Sequence, residues 1–168
     1  MLRLLPAVTV CLAALLAVLP FGADEMVRYA VSFLPLMVIQ YWSARRPALV
    51  PVPLIFGVGL IIDVLTHGPV GYWALLAMIA ASSASLETLL MGRSTAIGRA
   101  LLFAVAMLTA ASVAWAVAFV YTGTAVTSRP FLGAALTAIC LYPVMALGLM
   151  VIDRLWETPR AQLFVRGR

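Results

Sequence analysis

Long apolar runs alternate along the chain with short segments that hold most of its charged and turn-forming residues. A helix that crosses a bilayer needs about 20 mainly apolar residues. Runs of this kind predict an all-α membrane protein with six transmembrane helices, at Leu4–Phe21, Met26–Ser43, Val50–Thr66, Val70–Met91, Gly98–Tyr121 and Pro130–Ile152. Pro35 falls inside the second run, and Pro51 and Pro53 open the third, so we expect kinks in both helices.

The arginines predict how these helices are oriented. Lys and Arg close to the ends of spans are concentrated on the cytoplasmic side. With a cytoplasmic N-terminus, only Arg28 and Arg129 lie outside, and all the other basic residues lie inside: Arg3, Arg45, Arg46, Arg93, Arg99, Arg154, Arg160, Arg166 and Arg168. We therefore expect both termini on the cytoplasmic side of the membrane. Because the loops are short, residues 1–168 should form a single integral membrane domain.

The composition excludes an ordinary soluble domain, since 65% of the 168 residues are hydrophobic and 10% are charged. The net charge of +5 comes from arginines bunched in short segments, which favours membrane orientation over nucleic-acid binding. The basic tail is interpreted as a topology anchor, and binding of anionic lipid or of an acidic cytosolic partner is the alternative. The first run ends in LPFGADE, which lacks the A-x-A pattern of a cleaved signal, so we expect a retained span. Cys11 and Cys140 are expected to be small buried side chains.

The stretch Phe56–Trp73, FGVGLIIDVLTHGPVGYW, places an aspartate and the single histidine of the chain in an apolar region. Gly68 and Pro69 predict a helix stop, with glycine just past the helix end. Helical spacing puts five residues along one face of the third helix: Phe56, Gly59, Leu60, Asp63 and His67.

Asp63 is the residue of this stretch that most needs a partner. It lies near the C-terminal, negative end of its helix, where a carboxylate is disfavoured, and on that ground we exclude a capping role. The remaining candidates are His67, one turn later, and Arg28 or Arg129 in the outer loops. We interpret Asp63 as a charged latch at the outer end of the third helix. A proton or ion relay is the alternative, disfavoured because the chain has few ionisable groups at mid-membrane.

Two other acids lie at the opposite ends of their helices. Glu87 precedes Arg93 near the inner end of the fourth span, and Asp153 precedes Arg154 at the inner end of the sixth. Both are interpreted as interfacial residues that reach water or an arginine, and Glu87 is also a candidate for lining a functional cavity.

Small residues form a stripe along the fifth span, at every fourth position: Ala106, Ala110, Ala114 and Ala118. Small side chains allow two membrane helices to approach closely. Packing inside the bundle is the favoured interpretation in this alanine-rich chain. Docking of a partner's transmembrane helix is the alternative.

Sequence motifs for catalysis are missing. The chain has one histidine and therefore no H-E-x-x-H zinc motif, and it has no G-x-S-x-G serine elbow. Gly57 and Gly59 lack the third glycine of a nucleotide fingerprint. We therefore predict a non-enzymatic protein without metal or cofactor.

The residues around Asp63 resemble the signature of the MreD family of rod shape-determining membrane proteins. The matching pattern is F-x-x-G-L-x-x-D followed by a glycine-proline turn, and it consists of Phe56, Gly59, Leu60, Asp63, Gly68, Pro69 and Gly71. The length of the chain, its short loops and a proline-bearing second span that ends near Tyr41 and Trp42 also fit that family.

The resemblance implies a non-enzymatic scaffold in the inner membrane that belongs to the bacterial cell-elongation machinery. Members of the family bind MreC and, through it, act with MreB, RodA and a class B penicillin-binding protein in lateral peptidoglycan synthesis. The family is also similar to the six-helix substrate-binding subunits of energy-coupling-factor transporters. That similarity implies an alternative, a subunit that binds a vitamin-like small molecule in a pocket near the turn between the third and fourth helices.

Overall fold

The computed structural model describes residues 5–19, 28, 31–91 and 96–157, and places side chains throughout these ranges except at 87–91, 96–97 and 155–157. The described residues form helices and contain no strand, so the all-α prediction is confirmed. The six α-helices are α1 (Leu5–Val18), α2 (Leu34–Arg45), α3 (Val52–Thr66), α4 (Tyr72–Met91), α5 (Ala96–Thr122) and α6 (Arg129–Glu157). A 3-10 turn, Pro47–Leu49, joins α2 to α3.

Helix length distinguishes α5 and α6 from the rest. Within the described residues, Gly98–Thr122 and Arg129–Arg154 are long and apolar enough to cross a membrane. In contrast, α1, α2 and α3 have 14, 12 and 15 residues. At a rise of about 1.5 Å per residue, these three helices are shorter than a hydrocarbon core of about 30 Å. Among the described residues, two helices thus have full membrane length, and the six predicted spans stay a prediction.

The central element of the bundle is α2. Its residues from Pro35 to Ser43 are all buried, because apolar and aromatic side chains surround the helix on every side. It packs against α1, α4 and α6, while α4 also contacts α3 and α5. The rings of Phe103 in α5 and Tyr142 in α6 stack with their centroids 3.9 Å apart.

The prolines of the second and third runs lie in the first turn of a helix or directly before it, so the expectation of a kink inside the third helix is wrong. Pro35 lies in the first turn of α2, which begins at Leu34, and a turn at Phe33 separates this helix from the helical residues Val31 and Ser32. Pro51 precedes α3, and Pro53 lies in its first turn. Proline is tolerated at these positions because the first turn of a helix has no intrahelical partner for its N–H groups.

Four described arginines meet at one end of the bundle. Arg45 and Arg46 end α2, Arg99 lies in the first turn of α5, and Arg154 lies near the end of α6. Arg46 pairs with Asp153, with 3.0 Å between Nη2 and Oδ1, so the acid expected beside Arg154 reaches an arginine of another helix. We call this region the basic end.

The remaining expectations about charge and burial have mixed outcomes. Arg28 and Arg129 lie before α2 and at the start of α6, away from the basic end. The side chains of Glu87 and Arg93 are outside the described residues. Cys11 and Cys140 are exposed on the bundle surface, so the prediction that they are buried is wrong.

Gly59 brings α3 and α4 into close contact. A Cβ atom at this position would lie 2.6 Å from the backbone nitrogen of Ala74 and 2.9 Å from the carbonyl carbon of Trp73. These distances are too short for the Cβ atom of any side chain. The atoms that it would meet belong to the backbone of α4, which cannot move aside as a flexible side chain could. A glycine is therefore required where the two helices cross. Gly57, one half-turn earlier in α3, faces open space.

This difference predicts opposite effects for two glycine substitutions in one helix. Gly59→Ala should force α3 and α4 apart and lower the free energy of unfolding by about 1–3 kcal/mol, the usual cost of overpacking. Gly57→Ala should be neutral or raise it by up to about 1 kcal/mol, because alanine is the better helix former. Thermal unfolding of both variants in detergent checks this prediction, and equal losses would contradict it.

Candidate functional site at the turn between α3 and α4

Helix α3 ends in a turn whose hydrogen bonds follow the Schellman pattern. The N–H of Gly68 donates to the carbonyl of Asp63 at 3.2 Å, and the N–H of His67 donates to the carbonyl of Val64 at 3.4 Å. His67 adopts the left-handed conformation, with φ 53° and ψ 29°. The stop is therefore where the sequence predicts it, but histidine rather than Gly68 takes the left-handed position. Histidine is one of the non-glycine residues that enter this region more often than most.

The carboxylate of Asp63 binds the beginning of the next helix. Its Oδ2 accepts the N–H of Gly71 at 2.8 Å, and its Oδ1 accepts the N–H of Trp73 at 2.7 Å. Only 1% of the Asp63 surface is exposed. A buried carboxylate is costly unless hydrogen bonds satisfy it, and here each oxygen has a charge-assisted partner.

These contacts make Asp63 the N-terminal cap of α4. The first N–H groups of a helix have no intrahelical acceptor, and the positive end of the helix dipole attracts an anion. Asp63 supplies both acceptors from the preceding helix, eight and ten residues away in sequence. Our exclusion of a capping role was wrong, because it considered only the dipole of α3, the helix that contains Asp63.

The predicted charged latch is also wrong in its partners. His67 is exposed, and the described part of the chain gives Asp63 no ion pair with His67, Arg28 or Arg129. Because backbone N–H groups already occupy both oxygens, the carboxylate is also poorly placed to carry protons in the relay that we considered as an alternative. Asp63 still pins the C-terminal end of α3, but it does so through backbone hydrogen bonds.

The glycine and proline residues of the turn shape the entry into α4. Gly71 has φ +94°, a conformation that favours glycine. Its carbonyl accepts the N–H of Leu75 at 2.8 Å, which begins the hydrogen bonding of α4. The carbonyl of Pro69 accepts the N–H of Tyr72 at 3.1 Å. The residues from Gly68 to Gly71 thus aim two N–H groups at Asp63 and start the helix in the same short segment.

The turn is packed against the start of α2 through aromatic rings. Trp73 lies edge-on to Phe33, with ring centroids 6.4 Å apart, and edge-on to its neighbour Tyr72 at 5.6 Å. Phe33 is 3% exposed. The Asp63 contact therefore orients not only α4 but also the side chain that reaches the central helix.

The other motif residues divide between the interior and the surface. Leu60 is partly buried, whereas Phe56 keeps 48% of its surface exposed on the outside of α3. Phe56 is thus the motif residue for which the turn and the crossing of α3 and α4 provide no role.

The alanine stripe on α5 lies inside the bundle. Ala106 is 5% exposed, and Ala110 and Ala114 are completely buried, while Ala118 is partly exposed. Packing within the chain, the interpretation that we favoured, accounts for this stripe. The alternative of a partner helix docked on it is wrong for the three buried alanines, because their surface is already covered.

A second polar contact was missed by the sequence analysis. The hydroxyl of Tyr142 in α6 donates to Oε1 of Gln40 at 3.1 Å in the middle of the bundle, and Gln40 is completely buried. A lone glutamine in an apolar run is a sequence signal for such a contact, although it does not name the partner. The N–H groups that bind Asp63 leave no signal at all, because every residue except proline carries one.

Comparison of the chain with protein-family models, with curated proteins and with solved structures gives no match. The likeness to the MreD family therefore stays a prediction from the motif. Among the described residues, no three His, Cys, Asp or Glu side chains are grouped so that they could hold a metal ion.

The site predicts unequal effects for two aspartate substitutions at helix ends. Asp63→Asn keeps one acceptor but turns an amide N–H₂ towards a backbone donor, which leaves a buried N–H unpaired. We expect it to lower the free energy of unfolding by about 2–4 kcal/mol. Asp153→Asn breaks a partly exposed ion pair and should cost at most about 1 kcal/mol. Thermal unfolding in detergent measures both, and similar losses would show that the cap is unimportant.

A further prediction separates the conformational role of His67 from a charged one. His67→Gly should raise the free energy of unfolding by about 0.5–1 kcal/mol, because glycine adopts the left-handed conformation without the Cβ clash. His67→Val should lower it, since a β-branched residue fits this region poorly. If the imidazole bound Asp63, the glycine variant would instead be less stable, which the same unfolding measurement would reveal.

Proposed function

We propose that this chain is an MreD-type scaffold of the bacterial cell-elongation complex. In this proposal it crosses the inner membrane six times with both termini in the cytoplasm, and it binds the single transmembrane helix of an MreC-type partner. Through that partner it acts with MreB, RodA and a class B penicillin-binding protein in lateral peptidoglycan synthesis. The protein performs no catalysis itself and controls where the complex assembles.

The arrangement of charges supports the proposed orientation. The described arginines on the predicted cytoplasmic side meet at the basic end, whereas Arg28 and Arg129 lie away from it. Such a segregation is typical of an oriented membrane protein. Two helices of full membrane length, α5 and α6, agree with a membrane location. The shorter helices would cross with residues that flank them in sequence.

The observation that carries the proposal is the use made of the motif residues. Asp63 caps α4, Gly59 permits the close crossing of α3 and α4, and Gly71 shapes the turn. Three of the residues on which the family resemblance rests therefore hold two helices in a fixed relation. A rigid helix pair with an apolar outer face is what a scaffold needs to present to a partner helix.

The outer face of α3 is the proposed contact surface for the partner. It exposes Phe56 by 48%, and Ile61 and Val64 by 58% and 68%. Membrane helices associate through close packing of such surfaces. The transporter alternative receives less support, because the Asp63 carboxylate near its expected pocket is 1% exposed and already bonded.

Co-purification tests the proposal directly. An affinity-tagged chain, extracted from its own host in a mild detergent, should bring down a protein with one transmembrane helix and an extracytoplasmic domain. Deletion of the gene should convert rod-shaped cells into rounded ones. Recovery of no such partner together with unchanged cell shape would refute the proposal. A vitamin-like ligand and an ATPase module in the purified sample would support the transporter alternative instead.

A substitution at Phe56 tests the proposed surface. Phe56→Ala should reduce recovery of the partner several-fold, because aromatic anchors dominate many interfaces, while leaving the melting temperature nearly unchanged. Leu101→Ala on α5, where 61% of the side chain is exposed, is the matched control and should retain the partner. Equal recovery with both variants would place the contact elsewhere on the bundle.

A further inference from the structure

The basic end contains a cavity between α2, α5 and α6. Its volume is about 260 Å³. It lies at the opposite end of α2 from the α3–α4 turn, whose Trp73 contacts Phe33 just before the start of that helix. The described residues that line it are Tyr41, Ala44, Arg45, Arg99, Ala100, Tyr142, Pro143, Ala146, Leu147 and Met150.

Two of the lining residues are cations from different helices. Arg45 comes from the end of α2, and Arg99 from the start of α5. No carboxylate is among the described lining residues. Asp153 of α6 is paired with Arg46 at 3.0 Å. The two guanidinium groups supply positive charge to the cavity wall from two helices.

The cavity wall also contains a buried hydroxyl with no partner. Tyr41 is 4% exposed, and its hydroxyl makes no hydrogen bond within the described structure. The second lining tyrosine differs, because the Tyr142 hydroxyl donates to Gln40. The guanidinium of Arg45 lies over the ring of Tyr41, 5.3 Å from its centroid. A buried donor without a partner is costly, and a ligand oxygen would satisfy it.

The rest of the wall is apolar and continues onto the outside of the bundle. Leu147, which lines the cavity, keeps 60% of its surface exposed. Val144 and Val151, one turn before and after it on α6, are 67% and 53% exposed. In a membrane these side chains face acyl chains. A molecule in the cavity could thus place a polar group among the arginines and an apolar chain along α6.

We propose that this cavity binds the headgroup of an anionic phospholipid from the leaflet at the basic end. Arg45 and Arg99 bind the phosphate diester, the Tyr41 hydroxyl donates to one of its oxygens, and an acyl chain lies along Leu147 and Val151. Basic pockets between membrane helices are a recurrent form of lipid headgroup site. The volume agrees with a headgroup, because pockets for whole drug-sized ligands measure about 300–1,000 Å³.

Native mass spectrometry of the purified chain in detergent, without any partner protein, tests this inference. Phosphatidylglycerol, phosphatidylcholine and inorganic phosphate are titrated separately. We expect phosphatidylglycerol to bind at least tenfold more tightly than phosphatidylcholine. Arg45→Gln and Arg99→Gln should each weaken phosphatidylglycerol binding about fivefold. Arg154→Gln, at the same end but outside the cavity lining, is the control and should stay within twofold of the native chain.

Tyr41→Phe distinguishes donation of the Tyr41 hydroxyl to the lipid phosphate from a purely structural role of this residue. Removal of a buried hydroxyl without a partner should leave the melting temperature in a non-ionic detergent unchanged or higher. The increase in melting temperature caused by phosphatidylglycerol should fall by half or more, because one donor to the phosphate is lost. If Tyr41→Phe lowers the melting temperature without lipid but shows the full increase with phosphatidylglycerol, the proposed hydrogen bond from Tyr41 to the phosphate is refuted.

Three other results would overturn the proposal. Equal binding of phosphatidylcholine would show that charge is not recognised. Equal loss in Arg45→Gln and Arg154→Gln would indicate general attraction to the basic end. Binding of inorganic phosphate as tight as that of phosphatidylglycerol would identify a site for a free anion. None of these results depends on whether an MreC-type partner exists.

Discussion

The fold depends on one carboxylate that is shared between two helices. Asp63 is contained in α3, yet both of its oxygens bind N–H groups at the beginning of α4. A charge buried to 1% exposure is tolerated only where such donors are aimed at it. The contact therefore demands that α3 end, the chain turn and α4 begin within a few residues. Gly59 completes the constraint, because only a glycine lets the two helix backbones meet at this angle and distance.

The bundle has two ends with different chemistry. The α3–α4 turn is held by backbone hydrogen bonds and by the rings of Trp73 and Phe33, and its polar groups are satisfied within the protein. The basic end holds arginines from several helices and a cavity with a partnerless tyrosine hydroxyl. The first end is suited to rigidity and the second to binding a ligand. The central helix α2 connects them, since Phe33 precedes its first residue and Arg45 is its last.

The accuracy of each prediction depends on whether the interaction is local in sequence or joins separate helices. The six helices, the stop after Thr66 and the gathering of Arg45, Arg46 and Arg99 at one end all follow from hydrophobic periodicity and local turn chemistry. The predicted partners of Asp63 are wrong because backbone donors of the following helix, unlike charged side chains, are not visible as residue types. The kink expected in the third helix is wrong because Pro51 precedes that helix and Pro53 lies in its first turn, where no intrahelical N–H bond is lost.

The sequence by itself determined the helical class and the separation of the described basic residues, because composition and local spacing control these properties. It also marked Asp63, since an aspartate in an apolar run must find a partner. Only the tertiary structure decided which groups bind Asp63 and that the alanines of α5 face inward. It also decided that Tyr41 and two arginines surround one cavity. Those features depend on how helices distant in sequence approach one another, and the packing of their side chains is not specified by local spacing.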